Sequence, residues 1–225
     1  MDRTKHVRIK FCGLTRLEDA VTATQVGVDL LGFNFFTESR RYLAPGECAR
    51  LVNRLWAELG DSFKSVQLVG VFVNTPFQEI NAIMGQCKLD LAQLSGDETA
   101  EEVARFGGRA FKAIRSNGRL TLAQVGATYP QRKTPPALLV DSGGQGVYGG
   151  SGLTADWIQA EALAQKTAIL LAGGLDPSNV VEAVQTVRPW GVDVASGIEA
   201  SPGIKDPAKM ADFVQAVRGW HDCSQ

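Results

Sequence analysis

Two side chains in this sequence stand where proton transfer needs them. Cys12 closes the apolar run Val7–Cys12, and Asp141 closes the run Ala137–Asp141. A thiolate can take a proton and a protonated carboxyl can give one, so the pair suits acid–base chemistry. Each also has a plainer reading. A free cysteine is commonly a small buried hydrophobe, and an aspartate after a strand commonly caps a loop. The two histidines, His6 and His221, lie near the chain ends. Proton transfer in the interior then falls to carboxylates, lysine, tyrosine or a thiol. Cys12, Cys48, Cys87 and Cys223 include no C-x-x-C pair. With so little histidine, no metal site is expected, and Cys48, Cys87 and Cys223 read as structural.

A second set of residues suits an anion. Gly173 and Gly174 follow the apolar run Ala168–Ala172, and Ser196 and Gly197 follow Val192–Ala195. Backbone N–H groups of such glycines can point at a phosphate dianion. Arg40 and Arg41, after the run Asp29–Phe35, offer a fork for a carboxylate; a solvated surface pair is the alternative. Six of the ten residues 143–152 are glycine, which reads as a lid closing over a substrate or as a plain flexible linker.

These residues need a frame to hold them. Eight strand-like runs can be read: Val7–Cys12, Asp29–Phe35, Val66–Val73, Leu89–Leu94, Ala110–Arg115, Ala137–Asp141, Ala168–Ala172 and Val192–Ala195. Helical stripes lie between them, such as Leu51, Val52, Leu55 and Leu59, or Met210, Phe213, Val214 and Val217. Weaker helical segments fall around Thr121–Ala127 and Gln159–Lys166. Thr15 with Glu18 reads as a capping box, and Asp176-Pro177 and Asp206-Pro207 as acidic caps before a helical proline. Alternating strand–helix units imply a parallel sheet, and eight of them imply a closed (β/α)8 TIM barrel. One α/β domain is expected over residues 1–225, its core spanning about 7–218. The rival is an open doubly wound sheet, but the dinucleotide fingerprint is missing at Cys12-Gly13-Leu14-Thr15.

In such a barrel the chemistry sits at the C-terminal ends of the strands. His6, before the first run, is then on the wrong face. Alternation turns Ile9 and Phe11 outward and Lys10 and Cys12 inward. The same argument turns Asp193 inward on the last strand, beside the first once the barrel closes. Lys10 and Asp193 are therefore expected to form a supporting charge pair near Cys12.

Composition excludes other classes. The 225 residues carry 23 basic and 24 acidic side chains, a net charge of −1, so no basic face for nucleic acid is indicated. No run approaches eighteen apolar residues, and the first residues have no apolar signal core, so neither a membrane partner nor export is expected. The cytoplasm is the expected compartment, with thiols reduced. Monomer and homodimer both stay open.

Together these segments resemble the phosphoribosylanthranilate isomerases. The resemblance runs from Arg8 to Arg218. It is carried by Lys10-Phe11-Cys12-Gly13-Leu14-Thr15-Arg16, Gly70-Val71-Phe72-Val73-Asn74, Leu91-Ala92-Gln93-Leu94-Ser95-Gly96-Asp97-Glu98, Phe111-Lys112-Ala113-Ile114-Arg115, Leu171-Ala172-Gly173-Gly174-Leu175 and Gly191-Val192-Asp193-Val194-Ala195-Ser196-Gly197-Ile198-Glu199. It implies a cofactor-free Amadori rearrangement of N-(5-phosphoribosyl)anthranilate in tryptophan biosynthesis, with a phosphosugar as the small-molecule substrate. By motif position it implies Cys12 as general base, its thiolate favoured by a nearby cation or backbone dipole, and Asp141 as general acid. It implies that Arg41 holds the substrate carboxylate and that Gly173, Gly174, Ser196 and Gly197 hold the phosphate. Gln93, Gly149 and Gly150 become lid or substrate contacts. The chain departs from the family at Arg40, where proline is usual, at Ser95, where histidine is usual, and at Phe11, where isoleucine is usual. Other phosphate-sugar barrels, and a phosphate-binding barrel without catalysis, are the alternatives.

Overall fold

Period-two alternation along eight short strands sets the architecture. The computed structural model describes residues 6–115, 121–130, 132–142 and 155–220. In chain order the elements are β1 (Arg8–Cys12), α1 (Leu17–Gln25), β2 (Leu30–Asn34), α2 (Pro45–Leu59), β3 (Gln67–Phe72), α3 (Phe77–Gln86), β4 (Leu91–Leu94), α4 (Ala100–Ala104), β5 (Ala110–Arg115), α5 (Leu122–Ala127), β6 (Leu138–Asp141), α6 (Ala155–Ala164), β7 (Ile169–Ala172), α7 (Val180–Val187) and β8 (Gly191–Val194). A short hairpin, β9 (Glu199–Ser201) with β10 (Ile204–Lys205), precedes α8 (Pro207–Gly219). Strands β1 to β8 pair in parallel and in sequence order, and β8 closes on β1. This is the expected (β/α)8 barrel.

The two faces of the strands build two apolar clusters. Outward residues such as Ile9, Phe11, Leu31, Phe33, Leu94 and Leu171 pack beneath the helices, where Phe11 meets Phe213 of α8 edge-on at 6.0 Å. Inward residues Leu30, Val69, Leu91, Phe111, Leu139, Leu170 and Ala172 form a separate plug inside the barrel. Each such side chain contributes about 1.5–3 kcal/mol on burial. Lys10, Gln93 and Asp193 are inward polar residues buried on strands of the same barrel.

Helix starts agree with the sequence at Thr121, which caps α5 in a reciprocal box with Gln124, and at Asp206, whose carboxylate accepts from the N–H groups of Ala208 and Lys209. Three expectations are corrected. Thr15 does not cap α1; the N-cap position is Arg16, and Thr15 Oγ1 instead donates to the carbonyl of Gly203 at 2.7 Å. A tertiary partner outcompetes the local one. Nor does Pro177 open α7, which begins at Val180. Asp176 and Asn179 close a turn first: Asp176 Oδ1 accepts from Ser178 N at 2.7 Å, and Asn179 Oδ1 accepts from Asp176 N at 2.9 Å. The helix expected over Gln159–Lys166 runs earlier, over Ala155–Ala164.

Candidate active site

At the end of β1, Lys10 and Cys12 face inward as alternation requires. Lys10 is fully buried, and its Nζ donates to Asp193 Oδ1 at 2.8 Å. The register explains the meeting, since Lys10 is the direct partner of Asp193 across β1 and β8. Gly32 of β2, paired with Cys12, leaves the space they occupy. A Cβ there would lie 3.1 Å from Cys12 Sγ, 3.1 Å from Lys10 Nζ and 3.2 Å from Cys12 Cα. Burial pushes the Cys12 thiol up from its ordinary value. Lys10 and Lys205 pull it toward the thiolate, and Asp193 opposes them. The cations implied by the resemblance are present, but in the free protein burial outweighs them.

Asp141 ends β6 at the same rim. It pairs in register with Ala172, while Leu170 pairs with Gly191 and Asp193 with Lys10. Two residues on from Leu170 and Gly191 lie Ala172 and Asp193, so Asp141 and Lys10 border the upper parts of the neighbouring strands β7 and β8. Asp141 Oδ2 accepts from Arg115 Nε at 2.9 Å and Nη2 at 2.8 Å. Its neighbour Ser142 is buried, donating to the carbonyl of Ala172 at 2.8 Å.

Of the two adjacent arginines, Arg41 turns into the site and Arg40 is exposed. Arg41 already has a fork partner. Its Nε and Nη2 donate to Glu199 Oε1 and Oε2, each at 2.7 Å. Its Nη1 meets no acceptor among the described residues. The side chain lies over Gly13, whose φ of +72° and close approach both demand glycine. Glu199 also accepts from Lys205 Nζ at 3.0 Å. Burial alone would push the Glu199 carboxyl up; its bonds to Arg41 and Lys205 outweigh burial and hold it below its ordinary value.

The loops after β7 and β8 lie against each other, Gly197 meeting Leu175 and Asp176. Gly173 and Gly174 have φ of +99° and +67°, and Gly174 opens on space. Their N–H groups meet no acceptor among the described residues. Asn179 Nδ2 donates to the carbonyl of Gly174 at 2.9 Å, which braces the loop. Ser196 and Gly197 open a 3₁₀ turn, Ser196–Ile198. A Cβ on Gly197 would lie 2.0 Å from the Leu175 carbonyl oxygen, so that turn is pressed onto the loop after β7.

Gln93 of β4 is buried in the upper barrel; its Nε2 donates to Ser95 Oγ at 3.2 Å, and its Oε1 has no partner among the described residues. Other motif residues serve the frame. Lys112 is buried, and its Nζ donates to the carbonyls of Leu94 and Gly96 at 3.2 and 2.6 Å and to Glu98 Oε2 at 3.0 Å. Glu98 Oε1 accepts from Asn74 N at 2.8 Å, and Asn74 holds a left-handed φ of +52°. Together these fix the loops after β3 and β4. Cys48 and Cys87 are buried in the helical layer, away from the rim. Gly149, Gly150 and the rest of 143–152, with His221 and Cys223, lie outside the described residues.

Sequence reasoning missed Arg115, Glu199 and Lys205 as members of the site. For Arg115 a signal existed: it ends β5 as Asp141 ends the neighbouring β6, and the two are register partners. No helix of the described residues is long and apolar enough to cross a membrane.

A closed (β/α)8 barrel with a thiol, a carboxylate, an arginine and paired glycine loops about its C-terminal mouth is that of a barrel enzyme handling a small anionic substrate. The family described as N-(5'phosphoribosyl)anthranilate (PRA) isomerase matches residues 9–216. The N-(5'-phosphoribosyl)anthranilate isomerase of Geobacter sulfurreducens is 40% identical over 214 residues, covering 95% of this chain and 100% of the relative. The crystal structure of phosphoribosyl anthranilate isomerase from Thermotoga maritima superposes with a TM-score of 0.80 at 34% identity, covering 95% of this chain and 100% of that one. A second such structure, in complex with reduced 1-(o-carboxyphenylamino)-1-deoxyribulose 5-phosphate, gives 0.78 at 33% identity over the same shares. The chain belongs to the N-(5'-phosphoribosyl)anthranilate isomerase family.

Proposed function

We propose that this protein converts N-(5-phosphoribosyl)anthranilate to 1-(2-carboxyphenylamino)-1-deoxyribulose 5-phosphate, the Amadori step of tryptophan biosynthesis, with Cys12 as base and Asp141 as acid. One observation supports it above the rest. Asp141 ends β6, in register with Ala172 at the end of β7, and Cys12 ends β1, two residues beyond the Lys10–Asp193 register pair, so both groups close strands at the same face of one closed barrel. A pentose lying across that face meets a proton donor on one side and an acceptor on the other.

The steps balance without an outside oxidant. Asp141 gives its proton to the furanose ring oxygen as the bond from that oxygen to C1 breaks. The nitrogen lone pair then completes a C1–nitrogen double bond, and the cationic Schiff base is the electron sink. Cys12, as thiolate, removes the proton on C2. That C–H pair becomes the C1–C2 double bond of an enolamine, and nitrogen recovers its lone pair. Tautomerisation moves the C2 hydroxyl proton to C1 and leaves the ketone. The proton on sulfur returns through solvent to the Asp141 carboxylate. Each proton transfer contributes typically 10²–10⁴-fold.

Arg41 is the anchor for the substrate carboxylate. Glu199 takes the Nε and Nη2 edge, so the carboxylate uses the remaining edge formed by Nη1 and Nη2. The N–H groups of Gly173 and Gly174, with Ser196 and Gly197 beside them, take the phosphate. Gln93 Oε1, buried without a partner among the described residues, accepts from a substrate hydroxyl or amine.

The assay generates the substrate in situ from anthranilate and phosphoribosyl pyrophosphate with a transferase. Its fluorescence falls faster once the protein is added. Cys12→Ser and Asp141→Asn each lose roughly 10²–10⁴-fold in turnover, and Arg41→Ala mainly raises KM. No acceleration by folded protein would falsify the activity; a wild-type rate in either variant removes that residue's role.

A further inference from the structure

The functional reading gives Lys205 no part, yet this residue sits at the centre of the charges about Cys12. The groups facing the thiol are Lys10 of β1, Asp193 of β8, Lys205 of β10 and Arg41 of the loop after β2. Glu199 of β9 joins the last two. The Lys205 side chain is fully buried. Its Nζ donates to the Cys12 carbonyl at 2.7 Å, the Ala195 carbonyl at 3.0 Å and Glu199 Oε1 at 3.0 Å. Three oxygens match the three donors of an ammonium. The two carbonyls lie at the C-terminal ends of β1 and β8, so Lys205 fastens the seam where the barrel closes. Glu199 continues the chain, its Oε1 and Oε2 each 2.7 Å from the Arg41 guanidinium. One unbroken line of charge-assisted bonds thus runs from the Cys12 backbone to Arg41.

The hairpin is held in place by other bonds as well. Thr15 Oγ1 donates to Gly203 O at 2.7 Å, Lys205 N donates to Asp19 Oδ2 at 3.1 Å, and Lys209 Nζ donates to Glu199 O at 2.8 Å. Buried ion pairs are weak evidence of stability, because apolar residues of similar volume often serve as well. An apolar pair could not fix a guanidinium in angle and distance relative to a thiol. A polar line anchored by Lys205, whose three donors are all used, does that.

We propose that Lys205 and Glu199 are positioning residues of the reaction, holding the Cys12 thiol and the Arg41 guanidinium at one fixed separation, with Lys205 also lending a cation to the thiolate. This rests on the roles given above to Cys12 and Arg41. Glu199 acts through Arg41 and therefore on substrate binding. Lys205 acts through Cys12 and therefore on turnover and on the thiol itself.

The test separates these effects on the intact protein. Steady-state kinetics are measured for Glu199→Gln, Lys205→Met and Lys205→Arg, with folding checked by circular dichroism. Alkylation of Cys12 by iodoacetamide is followed across pH, and peptide mass spectrometry isolates that one thiol. Glu199→Gln raises KM about tenfold with kcat within about threefold of wild type. Lys205→Met lowers kcat about tenfold or more, and it moves the Cys12 alkylation midpoint up by about one pH unit. Lys205→Arg restores the charge and brings the midpoint back toward wild type. A folded Lys205→Met protein with wild-type kcat and an unmoved midpoint overturns the proposal, as does Glu199→Gln with unchanged KM. Should Lys205→Met fail to fold, Glu199→Gln and Lys205→Arg decide: unchanged KM in the first, or a midpoint in the second displaced upward despite its charge, overturns it. Alkylation needs no substrate, so the two readings fail separately. Full turnover by Cys12→Ser refutes the base role, whereas a midpoint that moves in Lys205→Met still supports the coupling of Lys205 to the thiol.

Discussion

Asp193→Asn removes the charge that faces the Lys10 ammonium at 2.8 Å while keeping the side chain's shape. Lys10 is fully buried, so the ammonium left behind cannot turn to water. Breaking a buried pair from one side costs about 3–5 kcal/mol, because the remaining charge is uncompensated. For a chain of this length that lowers Tm by about 6–20 °C. Most domains have 5–15 kcal/mol to lose, so the variant still folds at ambient temperature. Adding Lys10→Met, with leucine at 193, removes both charges and recovers much of the loss.

The pH dependence has a definite sign. Burial pulls the Lys10 ammonium down, but the Asp193 carboxylate and Cys12 more than offset it, and its value is raised above the ordinary 10.5. A raised folded-state value means the contribution is fully present below 10.5 and is lost as pH rises through the higher folded value. The gap between wild type and Asp193→Asn is therefore flat between about pH 6 and pH 9 and narrows only in stronger alkali. Urea unfolding followed by far-ultraviolet circular dichroism measures it. An Asp193→Asn protein within about 1 kcal/mol of wild type at neutral pH refutes the reasoning, as does a double variant that loses the full sum of the single losses.

Three further outcomes follow from the packing. Gly32→Ala presses a methyl between Cys12 Sγ and Lys10 Nζ, each 3.1 Å away, and lowers kcat roughly tenfold with little change in Tm; wild-type turnover would show the sulfur is not held there. Gly197→Ala drives a Cβ to 2.0 Å from the Leu175 carbonyl, so the backbone must move. It costs about 1–3 kcal/mol and raises the inhibition constant for inorganic phosphate, and an unchanged constant separates this turn from the phosphate site. Lys112→Met leaves Glu98 buried without its cation. It costs about 3–5 kcal/mol, read by urea unfolding, and a loss below about 1 kcal/mol contradicts the clamp between the β3 and β4 loops.

Much of this frame was legible because two periods are simple to read. Inward and outward faces alternate on a strand, so Lys10, Cys12 and Asp193 could be placed on one side before any contact was seen. The strand ends moved by only one or two residues, as from Val192–Ala195 to Gly191–Val194. What escaped is non-periodic. The hairpin β9–β10 has five strand residues in all, too few for a pattern, and Lys205 before an Asp-Pro cap looks like any surface lysine. Capping chemistry divided on tertiary context: Thr15 and Thr121 have the same spacing to an acidic or amide partner, yet Gly203 O captures only the first. Arg41 is the one of the two adjacent arginines that turns inward, but its engagement by Glu199 across 158 positions carries no local signal.

The charges about Cys12 bear on how a half-buried thiol could become a base. Lys10, Lys205 and Arg41 are positive and Asp193 and Glu199 negative, so one positive charge is left over. In the free protein burial still holds the thiol above its ordinary value. If Arg41 takes the substrate carboxylate, that excess is neutralised at the guanidinium, and the thiolate must draw its support from Lys10 and Lys205 instead. The Schiff base formed once the ring opens then brings a new cation beside the sulfur, at the step that needs the thiolate. Ring opening by Asp141 would therefore come before, and assist, deprotonation by Cys12. That order requires Asp141→Asn to block both events and Cys12→Ser to block only the second. Single-turnover experiments with Cys12→Ser should trap an opened, reducible imine that borohydride captures, and Asp141→Asn should trap none. Capture in both, or in neither, breaks the proposed sequence.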